Sequence, residues 1–188
     1  MKTEVKNESI VAYVLRLALT LLIITSVVAA ALAGVNSVTA PVIAASNEAK
    51  TQQAVEAVLP GGGQKTDVPA VSVGATVSEV YEGEKGYAVK VAPAGFGGAI
   101  EMMVGIDKEG SVLGISIIKH AETAGLGAVA ASTNDKGVAF RAQFVGEDKN
   151  VAITKAGGNI EAISGATITS RAVAQAAANA VCAVEALG

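Results

Sequence analysis

The 188-residue chain has no tryptophan, three phenylalanines, three tyrosines, one cysteine and one histidine. Cys182 alone cannot make an intrachain disulfide framework, and His120 alone excludes a histidine-rich metal site. A formal charge of −3 leaves no basic surplus, and the few aromatics supply no stacking platforms, so nucleic acid is excluded as a partner. No Gly-x-Ser-x-Gly occurs, which removes the serine-hydrolase elbow. No residues group as a general base, a nucleophile or a metal-ligand set, so no catalytic residue is expected. Cys182 lies beside Val181 and Val184 with no neighbouring base to lower its pKa, and reads as a buried structural thiol. His120 reads as a structural residue at a strand end.

Charge is also missing from Leu17 to Val35, where Leu, Ile, Val and Ala dominate. That is close to the roughly twenty apolar residues needed to cross about 30 Å of hydrocarbon as a helix. Lys2, Lys6 and Arg16 precede the run, and the next charges are Glu48 and Lys50. The positive-inside rule therefore puts residues 1–9 in the cytoplasm and everything beyond the anchor outside. The competing reading is a cleaved signal peptide, because Ala31-Leu32-Ala33 satisfies the small-x-small rule. The length of the charge-free run favours a retained anchor over residues 10–35, and both readings export the remaining chain. Residues 36–69 read as a linker and a short amphipathic helix. Asn36 to Pro41 forms the exit linker, and Ser46 to Leu59 turns Ala49, Val55, Val58 and Leu59 to one side. Pro60-Gly61-Gly62-Gly63 stops that helix, and Lys65 to Ala75 reads as loop.

Residues 70–188 carry the signals of one compact α+β domain, an antiparallel sheet packed on helices. Val77–Tyr81 and Tyr87–Val91 are β-rich runs joined by a turn at Glu82–Gly86. Ile100, Met102, Val104 and Ile106 alternate with Glu101, Met103, Gly105 and Asp107, the period of a half-buried strand. After a turn at Asp107–Gly110, Ser111–Lys119 places Leu113, Ile115 and Ile117 on one expected face. An alanine-rich run from Arg171 to Leu187 reads as the terminal helix.

Two polar stretches interrupt this scaffold. One is His120-Ala121-Glu122-Thr123-Ala124-Gly125-Leu126-Gly127, a glycine-punctuated loop leaving a buried strand, where ligand contacts are commonly placed. The other is Ile163-Ser164-Gly165-Ala166-Thr167-Ile168-Thr169-Ser170, a hydroxyl-rich turn feeding the terminal helix. Ser and Thr cap helix N-termini, and the dipole there stabilises a phosphate by roughly 0.3–1 kcal/mol. Gly165 and Ala166 leave the backbone bare, so a bulky group can approach Thr167. Taken alone, each stretch also reads as ordinary structure: a surface connection and a capped helix.

Together they resemble one family. Ser164-Gly165-Ala166-Thr167 is similar to the flavinylation motif of the FMN-binding domains of bacterial respiratory complexes, with Glu161 where that pattern usually has Asp. Glu122-Thr123-Ala124-Gly125-Leu126-Gly127 resembles the same family's Glu-Thr-x-Gly-Leu-Gly signature. Gly95-Phe96-Gly97-Gly98-Ala99-Ile100-Glu101 resembles its glycine-rich lead into the central strand. The resemblance covers roughly residues 70–188, and its order continues through a Phe140–Phe144 segment to the terminal helix. It implies covalent FMN, joined through its phosphate as an ester to Thr167 by a separate flavin transferase that uses FAD. It further implies that Ser164, Gly165, Ala166 and Thr169 surround the phosphate, with Ser164 and Thr169 donating hydrogen bonds and N–H groups around Ile168–Ser170 completing the cradle. Glu122, Thr123, Gly125 and Leu126 would meet the ribityl chain or ring, with Glu122 tuning the reduced forms.

Length, single anchor and single domain are most similar to the G subunits of Rnf-type ion-translocating ferredoxin:NAD⁺ oxidoreductases. That resemblance implies an electron-carrier subunit working with other membrane subunits, not a catalyst on its own. The alternatives are a stand-alone exported FMN-binding reductase, or a membrane-tethered scaffold module with no redox role.

Overall fold

The computed structural model describes residues 10–66 and 77–187. The polar N-terminus at 1–9, most of the loop expected at 65–75 and the domain boundary expected at 70 fall outside those residues. By its contacts the chain divides into two units, residues 1–47 and 48–188.

The first unit is helical throughout its described part, and belongs to α1 (Ile10–Val58). The helix is long and apolar enough to cross a membrane, and none of its most apolar stretch is buried by the rest of the chain. Leu15, Leu17, Leu19, Leu21, Leu22 and Ile24 all stand exposed. So much continuous apolar surface fits contact with lipid or with apolar helices. The helix does not stop at 36–41, where a linker was expected, and Pro41 lies inside it. Ser37 and Thr39 donate their hydroxyls to the carbonyls of Gly34 and Val35, one turn back. These two hydroxyls are thus satisfied within the helix.

The second unit is built on a five-stranded antiparallel sheet in the order of the chain. Its strands are β1 (Gln64–Thr66), β2 (Val77–Gly83), β3 (Gly86–Val91), β4 (Glu101–Asp107) and β5 (Val112–Lys119). The meander read from the sequence is present, with β1 added at the edge beside β2. β1 is three residues of mixed polarity, too short to leave a periodic signal.

Helices cover one face of the sheet. Val80, Val89, Val91, Met102, Val104 and Ile106 pack against Phe140 of α2 (Asp135–Ala142), Phe144, and Val173, Ala177 and Val181 of α3 (Thr167–Glu185). Phe140 and Phe144 meet edge to face, with ring centroids 5.4 Å apart. Alanine on the inner side of α3 lets that helix lie close to the sheet. Cys182, expected to be buried, is half-exposed on this helix.

The last turns of α1 cover the other face. Ala54, Val55, Val58 and Leu59 pack on Tyr81, Ala88 and Met103. This makes β4 buried on both sides, not half-buried as its alternation suggested. Ala49, placed on the apolar side of this segment by its period, is exposed, and Thr51 takes the buried position.

Register shifts occur between Gly105 and Ile106, opposite Leu113, and between Glu101 and Met102, opposite Ile118. Each extra residue flips the side chains beyond it. Leu113 and Ile118 therefore join the α1 side, while Ile115 and Ile117 stay on the α3 side. The expected grouping of Leu113 with Ile115 and Ile117 is corrected accordingly.

Candidate functional site

The N-terminus of α3 forms one wall of a cleft of about 440 Å³. The loop after β5, the glycine-rich loop before β4 and the segment around Lys155 form the others. The helix begins at Thr167, four residues earlier than the alanine-rich run suggested, and its N-cap is Ala166 with no side-chain cap. The hydroxyls of the turn are used elsewhere. Ser170, fully buried, donates to the Ala166 carbonyl (2.9 Å) and accepts from the Ile163 N–H (3.0 Å). The Ser170 N–H donates to the Ala166 carbonyl at 3.0 Å. The N–H groups of Thr167, Ile168 and Thr169 precede the helix's own hydrogen-bond ladder, which makes this the positive end of α3.

Gly165 sits at φ +75°, a left-handed conformation that L side chains avoid, and a Cβ there would come within 2.9 Å of Leu126 Cδ2. The bare turn and the Glu122–Gly127 loop thus meet directly. Gly127 is equally constrained, because a Cβ there would collide with Glu122 Oε2 and Thr169 Oγ1. Arg141 of α2 fixes the adjoining 3-10 turn (Gly127–Ala131), donating to the carbonyls of Ala130 (2.7 Å) and Ser132 (2.9 Å). Burial lowers the pKa of its guanidinium from the ordinary value.

Glu122 is the buried carboxylate of the cleft. Its Oε1 accepts from the Gly97 N–H at 2.8 Å, and its Oε2 accepts from the Thr169 hydroxyl. Its own N–H donates to His120 Nδ1 at 3.2 Å, so His120 braces the end of β5 as a structural residue would. Three chain segments are tied together at this one side chain.

Thr167 lies half-exposed at the mouth of the cleft, and Lys155 Nζ donates to its Oγ1 at 3.4 Å. Phe96, Leu126 and Ile168 line the same cleft while 70%, 43% and 53% exposed. They account for three of the second unit's five exposed large apolar side chains among the described residues, the others being Val138 and Val145. Such a concentration marks a binding surface.

Of the residues singled out in the sequence, Thr167, Gly165, Ala166, Thr169, Glu122, Thr123 and Leu126 line this cleft together. Ser164 and Gly125 line a neighbouring one of about 330 Å³, with Phe140, Gln143 and Glu161. There Gln143 holds the backbone of Glu161, accepting from its N–H at 2.7 Å. Lys155, Phe96 as a cleft wall, and the bracing role of the Ser170 hydroxyl were not singled out. Lys155 lies twelve residues before Thr167 in an unremarkable run, and only the fold joins them.

The FMN-binding domain family matches residues 95–182. The G subunit of a Na⁺-translocating ferredoxin:NAD⁺ oxidoreductase complex from Acetobacterium woodii is 37% identical, over 92% of this chain and 92% of its own length. The chain belongs to this G-subunit family of FMN-binding proteins. A second member, the G subunit of an ion-translocating oxidoreductase complex from Methanosarcina acetivorans, is 34% identical over 86% of this chain and 89% of its own. A third, from a proton-translocating complex of Clostridium ljungdahlii, is 39% identical over 54% of this chain and 57% of its own. The family match contains all the walls of the cleft.

The cleft's donor set fits FMN. Its volume falls within the roughly 300–1,000 Å³ of small-molecule sites. Phe96, Leu126 and Ile168 offer apolar surface for a ring system, and Lys155 with the α3 N-terminus offers positive charge for a phosphate. Gly127 and Gly165 let the walls of the cleft pack together at points where a Cβ would collide.

Proposed function

We propose that this chain is the membrane-anchored electron carrier of an ion-translocating ferredoxin:NAD⁺ oxidoreductase complex, with FMN esterified through its phosphate to Thr167. The observation that carries this reading is the Thr167 hydroxyl itself. It stands accessible at the positive end of α3, beside Lys155 and an exposed apolar collar. Relatives over nearly the whole chain are G subunits of ion-translocating oxidoreductase complexes, which supports partnership with other membrane subunits.

The isoalloxazine ring, when bound, accepts and passes on electrons one or two at a time. The chain's own residues hold and shield it. Thr167 supplies the attachment oxygen, and the N–H groups of Thr167, Ile168 and Thr169 face the phosphate charge. Thr169 serves at one remove, since its hydroxyl is given to Glu122. Ser164, on the adjoining cleft, belongs to the surface that a flavin transferase reads, with Glu161. Thr123 and Leu126 wall the ribityl and ring side, and Gly125 sets the turn between them. A cofactor held by an ester cannot diffuse away, which suits a domain on the extracytoplasmic side of a retained anchor.

Coexpression with a flavin transferase tests this. The full chain should be yellow, stay yellow after acid precipitation, and gain the mass of one FMN less water. Thr167→Ala should remain colourless. Wild-type protein that stays unmodified under these conditions would remove the electron-carrier reading.

A further inference from the structure

The segment from Ala152 to Ile160 is a short finger closed on itself. The Ile160 N–H donates to Ala152 (3.0 Å), the Thr154 N–H to Ile160 (2.9 Å) and the Gly158 N–H to Ile153 (3.1 Å). Ile153 and Ile160 are both buried, so the finger is rooted in the core while its tip, Thr154–Ala156, stands in solvent. At that tip, Lys155 reaches across the cleft to Thr167 Oγ1.

Among the described residues, no carboxylate pairs with Lys155. The ion pairs found among the described residues join Lys65 and Lys90 to Glu79, Lys119 to Glu101 and Lys149 to Glu185. The carboxylate that shares its cleft, Glu122, is already engaged by Gly97 and Thr169. A neutral hydroxyl gains little from an ammonium group at 3.4 Å. A phosphate at the same place gains a charge-assisted hydrogen bond.

We propose that Lys155 is a positioning residue for the ester at Thr167. It steers the phosphate to the hydroxyl during attachment and holds the attached phosphate afterwards. This rests on the reading that Thr167 carries FMN. In the attachment, Thr167 Oγ forms a bond to the FMN-side phosphorus of FAD. The bond from that phosphorus to the bridging oxygen breaks, and AMP leaves with that oxygen. The hydroxyl proton passes to a base of the transferase, since an ammonium group cannot take it. Lys155 acts on the negative oxygens of the phosphorus under attack.

The experiment is a time course of mass gain for the full chain in detergent with purified flavin transferase, Mg²⁺ and FAD. Lys155→Gln should slow the initial rate roughly tenfold, the size expected for one charge-assisted hydrogen bond. Lys155→Glu should slow it further, and Lys155→Arg should recover most of the rate. Added salt should slow wild type and leave Lys155→Gln nearly unaffected. In fully loaded protein the ³¹P resonance of the ester should differ between wild type and Lys155→Gln, which a contact with the transferase alone would not produce. A Lys155→Gln rate within about twofold of wild type, or an unmoved ³¹P resonance, overturns the proposal. If Thr167→Ala stays unlabelled while Lys155→Gln matches wild type, only the role of Lys155 falls. If wild type takes no FMN, the threonine ester falls and Lys155 with it.

Discussion

The hydroxyl of Thr169 is bonded to the carboxylate of Glu122, joining the first turn of α3 to a loop 47 residues earlier in the chain. The same carboxylate receives the Gly97 N–H, so one buried side chain holds three walls of the cleft. Its removal leaves two polar groups without their partner. Glu122→Ala should cost about 2–3 kcal/mol, the usual penalty for unpaired buried groups at a charged acceptor. Glu122→Gln keeps an oxygen for Gly97 and an amide for Thr169, and should cost less than about 1 kcal/mol. Thermal unfolding of the full chain in detergent measures both. Equal losses in the two variants would show that the carboxylate holds these loops through its charge and not through its geometry.

Ser170 performs the corresponding task on the inner side of the Thr167 turn. Its hydroxyl spans the carbonyl of Ala166 and the N–H of Ile163, across the residues that present Thr167. Ser170→Ala should destabilise the chain by about 1–2 kcal/mol. It should also raise amide hydrogen exchange at Ile163 while leaving exchange in β3 and β4 unchanged. Uniform acceleration across the sheet would indicate that the turn does not open as a local unit.

The serine and threonine cluster around 163–170 was legible as a helix entry, but not the division of labour within it. The family resemblance implied Ser164 and Thr169 as phosphate donors, with backbone N–H groups up to Ser170, and gave the Ser170 hydroxyl no task. Tertiary contacts add what the sequence did not show: the Thr169 hydroxyl meets Glu122, and Ser170 is buried beneath the turn. The antiparallel meander was legible because β2 to β5 carry strong apolar alternation and turn residues between them. Two features escaped it for physical reasons. A bulge leaves no mark in an apolar run such as Leu113 to Ile118, where every choice of register buries something apolar. A helix that passes from exposed apolar residues to the amphipathic segment at 48–58 has no break in its backbone to betray the change of surroundings. Lys155 was invisible for a third reason: a lone lysine has meaning only through what folding sets beside it.

On the opposite face of the sheet, Tyr81 donates its phenol to Glu79 Oε2 at 2.7 Å. Burial, then the bond and charge of Glu79, push the Tyr81 pKa up to about 12. Burial of Glu79 acts upward too, but the Tyr81 hydroxyl and the ammonium groups of Lys65 and Lys90 outweigh it and leave its carboxyl below the ordinary value. The raised phenol pKa means that its contribution is complete below the unfolded value of about 10 and is lost as pH rises toward about 12. Glu79, with its pKa lowered, contributes above its unfolded value and loses that contribution as pH falls through the folded one. Unfolding of wild type and Tyr81→Phe should therefore converge as pH is raised through that alkaline window. A constant difference between them there would contradict the assignment.

Phe96 stands 70% exposed at the tip of the glycine-rich loop, where it lines the cleft beside Leu126 and Ile168. The loop is held to the cleft by the Gly97 N–H at Glu122, so the ring is presented by a fixed backbone. In protein loaded at Thr167, the proposed function gives that ring a flavin to pack against. Phe96→Ser should leave the mass of the loaded protein at one FMN per chain, because the ester does not depend on ring contact. It should alter the flavin absorption envelope and make flavin fluorescence more open to iodide quenching, by roughly twofold if one face is uncovered. A cofactor held by the proposed ester would not leave, so the change would report contact and not occupancy. An unchanged spectrum and unchanged quenching would mean that the ring lies elsewhere in the cleft, against Leu126 and Ile168 alone.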